Sequence, residues 1–178
     1  MGQDIHIKVA KYNRKTNLYE QVKIYRKLTP DDYPYEDDEN GFREICIGGG
    51  NRDYEAWDGM KDGDDNSGYG YFPWTSINYL SLEPSFAERI KKDEKLDGTF
   101  DFYEINLSEF KLYLKEHPEV TDYDAYWPED WQHGDLVPKK ENPIKYIFDD
   151  VESYLSVADK DYGWNPSSYY KVIFYFDW

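Results

Sequence analysis

Asp4 and His6 stand two apart in the opening stretch MGQDIHIKVA. On an extended chain that spacing puts both side chains on one face. A carboxylate beside an imidazole could share a proton, hold a metal ion or orient a ligand. Asp177, near the other end of the sequence, becomes a third member if the last strand lies beside the first. A second chemical pattern is Asp62-x-Asp64-x-Asn66, alternating oxygen side chains of the kind that begin a calcium loop. Against calcium, the sixth position is Ser67 where the sharp turn needs glycine, and the twelfth is Pro73 where a bidentate Glu belongs. Cys46 is the single cysteine, so an intramolecular disulfide and a cysteine zinc cluster are both excluded, and its apolar setting, EICIGGG, predicts a buried, inert thiol.

These residues need elements to position them. Ile5, Ile7 and Val9 alternate with Asp4, His6 and Lys8, predicting a first strand with one buried face. Residues 4–12 and 18–26 flank the turn-forming NRKTN and read as a hairpin. A short helix is expected over 51–60, capped by Asn51 or Asp53, and another over Ser81 to Leu96 with Pro84 in its first turn. TFDFYEI alternates as a strand, and Asn106 or Ser108 caps a following helix that Pro118 stops. Residues 143–158 carry the clearest helical stripe: Ile144, Ile147, Phe148, Val151, Tyr154 and Leu155, with Asn142 as the cap. YYKVIFYFDW is apolar on both faces and belongs in a sheet interior. The sum is an α+β fold: one domain over 1–178, an antiparallel sheet built from the N-terminal hairpin and the C-terminal strand, and helices packed on one face. Acidic loops are expected at about 29–41, 58–71 and 119–142.

Aromatic residues make up 19% of the 178 residues, enough large side chains to build a core although apolar residues reach only 39%. The formal charge of −16 excludes a generic nucleic-acid or acidic-membrane binder, because phosphates require a basic footprint. No apolar run approaches the ~18 residues that span a bilayer. A signal-peptide pattern is missing from the first residues, so the expected compartment is a cytoplasm.

Met1, Gly2, Asp4, Ile5 and His6, the segment RDYEAWDGMKDG (52–63) and the closing YKVIFYFDW together resemble a family of uncharacterised proteins common in bacteriophages and prophages. Many members of that family carry His-Ser-His-Ser before the helix that here begins near Ser108. This chain has Thr99, Phe100, Asp101 and Phe102 instead, so only Asp101 remains of that pattern. The resemblance implies a phage accessory protein acting in the cytoplasm of an infected bacterium, and no particular activity.

Three functions follow as expectations. The first is a non-enzymatic protein that binds and inhibits or modulates a host protein, a defence protein among the candidates, with a basic surface as the target. Loops such as DDYPYEDDENG mix acids with aromatic anchors, which suits that role. The second is a small metal-dependent hydrolase of a nucleotide or phosphoester, using Asp4, His6 and Asp177. The third is nucleotide sequestration without cleavage, by aromatic stacking and a basic cluster of Arg14, Lys15, Lys23, Arg26 and Lys27. Candidate ligand-binding residues are Arg52, Tyr54, Trp74 and Asp101, and the weak metal candidates are Asp62, Asp64 and Asn66. The first reading is preferred: no cofactor is expected, a divalent metal enters only with the second reading, and neither a membrane nor nucleic acid is a direct partner.

Overall fold

The computed structural model describes residues 4–47, 54–63, 67–97, 102–123, 126–127, 132–133, 136–139 and 141–177. The N-terminal hairpin forms as the alternation predicts, with β1 at Asp4–Asn13 and β2 at Leu18–Val22, although the second strand stops short of the expected residue 26. Asn17 takes the left-handed conformation at φ 59°, and its N–H reaches the Asn13 carbonyl at 2.8 Å to close the turn. A second, smaller ribbon follows, β3 (Tyr25–Lys27) with β4 (Phe42–Glu44), joined by the segment 28–41.

Helix α1 is Tyr54–Asp62, so the loop expected from 58 starts later than the sequence suggested. Strand β5 (Thr75–Ser76) and a 3₁₀ turn at Tyr79–Ser81 lead into α2, Pro84–Asp97. The Glu83 carboxylate accepts from the Ser85 and Phe86 amides, both at 3.1 Å, and so caps α2. Strand β6 is Phe102–Asn106, and Asn106 caps α3 (Leu107–Glu116) by accepting from the Ser108 amide at 3.0 Å.

The segment expected as an acidic loop at 119–142 carries two strand pairs: β7 (Val120–Tyr123) with β10 (Leu136–Lys139), and β8 (Tyr126–Trp127) with β9 (Gln132–His133). Both pairs are antiparallel and share one register. Val120, Tyr123, Tyr126, Trp127 and Val137 supply the strand-forming side chains that the surrounding acids had masked. Helix α4 is Ile144–Ala158 and strand β11 is Tyr170–Asp177. Asn142 acts as the cap: its Oδ1 accepts from the Ile144 amide at 3.0 Å, while its Nδ2 donates to the His117 carbonyl at 3.0 Å.

The main sheet runs β2-β1-β11-β6-β5, antiparallel throughout. β11 therefore lies in the interior of the sheet, as its two apolar faces require. The terminal strands are neighbours, with Val9 opposite Val172 and Ile7 opposite Phe174. One face packs Val9, Ile105, Val172 and Phe174 against α1, α3 and α4. The other face packs Ala10, Phe102, Ile173 and Tyr175 against Phe86, Ala87 and Ile90 of α2. Three of the four described helices thus share a face and α2 takes the opposite one. The physical reason is period 2: Ile173 and Tyr175 make a second apolar surface that water cannot be left to cover.

Across that second face the chain from β5 to α2 is pinned by a covered lysine. Lys171, only 8% exposed, puts Nζ 2.9 Å from both Glu104 Oε1 and Ser81 Oγ, beneath the ring of Tyr19 at 4.3 Å. A charge taken out of water needs such partners, because an unpaired one is strongly destabilising.

Candidate interaction site

The register places Asp4 directly opposite Asp177, so the expected adjacency of the two ends of the sequence holds at the level of the backbone. His6 faces Tyr175, and the two rings stack at 4.6 Å with 12° between their planes. Phe102 stacks on Tyr175 in turn, at 5.1 Å and 18°, giving a ladder of three rings over three strands. A histidine in that ladder helps to cover the sheet.

Trp74 lies on the opposite face, half-buried, with its indole 4.2 Å from the Tyr103 ring and nearly parallel to it. The fold does not bring it to His6. Tyr54 begins α1, and Asp62 ends the same helix, exposed. Arg52, Asp64, Asn66 and Asp101 lie outside the described residues, as do the proposed α1 caps Asn51 and Asp53. Among the described residues no group of three or more His, Cys, Asp or Glu is placed to hold a metal ion.

Two further expectations change. Cys46 is exposed rather than buried, two residues beyond the end of β4 at the base of the small ribbon. Partial desolvation, and then the charge of Glu44, still raise its thiol above the ordinary value. The basic cluster around the first hairpin is largely spent inside the molecule. Arg26 is taken by Asp32, Lys23 lies beside Glu44, and Arg14 sits on the Tyr169 ring.

What the sequence did not reveal is the order inside the loop between β3 and β4. Arg26 and Arg43 face each other across the ribbon. Two cations in register repel unless anions answer them. Asp32 accepts both terminal nitrogens of Arg26, at 2.9 and 2.7 Å, and also the Thr29 amide at 2.7 Å. Asp38 repeats the arrangement: it accepts Nε and Nη2 of Arg43, both at 2.8 Å, and the Tyr35 amide at 2.8 Å. Each aspartate closes a turn on the residue three before it and clamps that turn to an arginine. The Arg43 guanidinium also lies 4.1 Å from the centre of the Tyr35 ring.

Asn40 (φ 52°) and Gly41 (φ 80°) then return the chain to β4, and the Leu28 amide donates to the Gly41 carbonyl at 2.8 Å. At the base of this arm, the Ile24 amide donates to the Tyr154 hydroxyl of α4 at 3.0 Å, tying the ribbon to the body.

The arginines depress both carboxyl groups. Asp38 is held down to about 2, chiefly by its hydrogen bonds to Arg43 and then by the Tyr35 amide. Asp32 is lowered further, with Arg26 the main cause and the Thr29 amide next. The Asp38 side chain is 7% exposed and belongs to the interior of the arm. Asp31, Glu36, Asp37 and Glu39 are exposed, and among the described residues they make no ion pair. Tyr33 (77% exposed) and Tyr35 (59%) stand among them. The result is a projecting arm, folded by its own charges, that shows water two tyrosines and four carboxylates.

Comparison with family models, with curated proteins and with solved structures finds no match for this chain. No helix among the described residues is long and apolar enough to cross a membrane.

Proposed function

We propose that this protein is a non-catalytic binder whose arm, residues 28–42, docks on a basic surface of another protein. Taken with the resemblance to phage proteins, the partner is a host protein that the chain inhibits or modulates. The observation that carries this reading is the internal pairing of Arg26 and Arg43 with Asp32 and Asp38. That pairing orders the arm before any partner arrives, so less conformational freedom is lost on binding. It also leaves the outward charge uniformly negative, which favours encounter with a basic patch. Large aromatic side chains beside that charge are the usual anchors of an interface.

A second reading has a specific observation behind it. Asp4 and Asp177 are cross-strand neighbours with His6 two residues along, an arrangement that suits a metal-dependent hydrolase of a nucleotide or phosphoester. Against it stands the stacking of His6 on Tyr175, which gives the imidazole a place in the sheet cover.

Capture from host lysate separates the two. The native chain and a variant carrying Asp31→Asn, Glu36→Gln, Asp37→Asn and Glu39→Gln are immobilised, and retained proteins are identified by mass spectrometry. One stoichiometric partner held by the native chain and lost by the variant is expected. Equal capture by both would remove the arm from the interface. Nucleotide hydrolysis that needs added metal and disappears in His6→Gln would establish the second reading.

A further inference from the structure

We infer that the arm anchors its partner through an arginine, whose guanidinium seats on the Tyr33 ring and is held there by the neighbouring carboxylates. The inference rests on the binding function proposed above and names the chemistry of the partner.

The arm already contains one such seat. Arg43 lies 4.1 Å from the Tyr35 ring centre while both of its bonding edges engage Asp38 and the Tyr33 carbonyl. A ring face and a carboxylate together fix a planar cation from two directions. Tyr33 offers the same pair of features outward. Its ring is tilted 58° from that of Tyr35 at 6.2 Å, it is more exposed than its neighbour, and it has Asp31 and Glu36 close along the chain. The guanidinium of Arg43 has settled the Tyr35 side of the pair; no described cation lies over Tyr33. Arginine is preferred to lysine because its flat, weakly hydrated head stacks on an aromatic face and still presents a fork of donors to a carboxylate. A tyrosine has few rotatable bonds, so holding it in place costs little. Charge complementarity assigns the occupant: a segment of a basic protein, presenting an exposed arginine to a surface with four uncompensated acids.

The test uses the full chain with octa-arginine and octa-lysine peptides as probes, by calorimetry at low and at physiological salt. Octa-arginine is expected to bind more tightly than octa-lysine. Tyr33→Leu should weaken octa-arginine by roughly two- to fivefold, the range of an exposed cation–aromatic contact, while Tyr33→Phe keeps the ring and the affinity. Equal binding of octa-arginine by the native chain and Tyr33→Leu would overturn the guanidinium seat. If the four-carboxylate variant then still loses the peptide, the acidic arm survives as a docking element and only the seat falls. If that variant also binds as the native chain does, the arm itself is refuted. Sedimentation equilibrium covers the remaining occupant: self-association of the native chain that the four-carboxylate variant abolishes would make a second copy the partner and overturn the assignment.

Discussion

Arg43 makes its contacts in two directions at once, to the Asp38 carboxylate and to the face of Tyr35, and a lysine could not reproduce both. Arg43→Lys should therefore loosen the arm while the body stays folded. Amide exchange over 29–41 is expected to rise several-fold, with Tm moving by less than about 2 °C because the arm adds little to the core. Unchanged exchange would mean that the backbone of the loop holds itself. The pH response follows from the same clamp. The folded-state value of Asp38, about 2, lies below its ordinary 3.8. Its contribution is thus complete above about pH 4 and is lost as pH falls through about 2. The Tyr33 and Tyr35 resonances should be constant from neutrality down to about pH 4 and shift only below it. Asp38→Asn should reproduce the shifted resonances at pH 7, and native-like signals in that variant would count against the clamp.

At the scale of elements, β11 is the member on which both faces of the sheet depend. Phe174 is fully buried against Trp57, Phe72, Trp74 and Phe110. Phe174→Ala should cost about 3–5 kcal/mol in denaturant unfolding, and a loss below about 1 kcal/mol would place that ring outside the core. This strand was legible in advance, because Val172, Phe174 and Phe176 alternate with Ile173 and Tyr175 and make both faces largely apolar. The hairpin turn, the caps at Asn106 and Asn142 and the antiparallel pairing of the terminal strands were legible for similar reasons: each is a local signal of period, turn or cap. The placement of α2 was harder, since the helix stripe says which side is apolar and not which sheet face it meets. The pairing of β7 with β10 and of β8 with β9 was hidden by acids between the strand formers. The arm was read as an exposed acidic loop, which it is. Its order was invisible because it depends on Arg26 and Arg43 standing opposite each other, a register that no local pattern in the sequence announces.

For the whole molecule, a charge of −16 and an outward-facing acidic arm make association a matter of long-range attraction first. Raising salt from about 50 to 200 mM should lower the on-rate for a basic partner several-fold and leave the off-rate nearly constant, as screening at about 10 Å predicts. Surface plasmon resonance at two ionic strengths reads both, and a salt-independent on-rate would leave the tyrosines to account for binding. The pairing of β1 with β11 carries a different consequence, for the birth of the protein on the ribosome. Residues 4–13 have no central partner until residues 170–177 have been made, which at ordinary translation speeds takes roughly 10–30 s. Through that interval the first hairpin and β6 exist as ribbons with their apolar sides uncovered. Contacts of such long sequence separation also close slowly once they can form at all. A nascent chain stalled at residue 169 should accordingly be cut readily by protease, and one extended through residue 177 and free of the exit tunnel should resist it. Yield in the cell would then be governed by how well a chaperone shelters the waiting strands, a property set by topology and independent of how stable the finished sheet is.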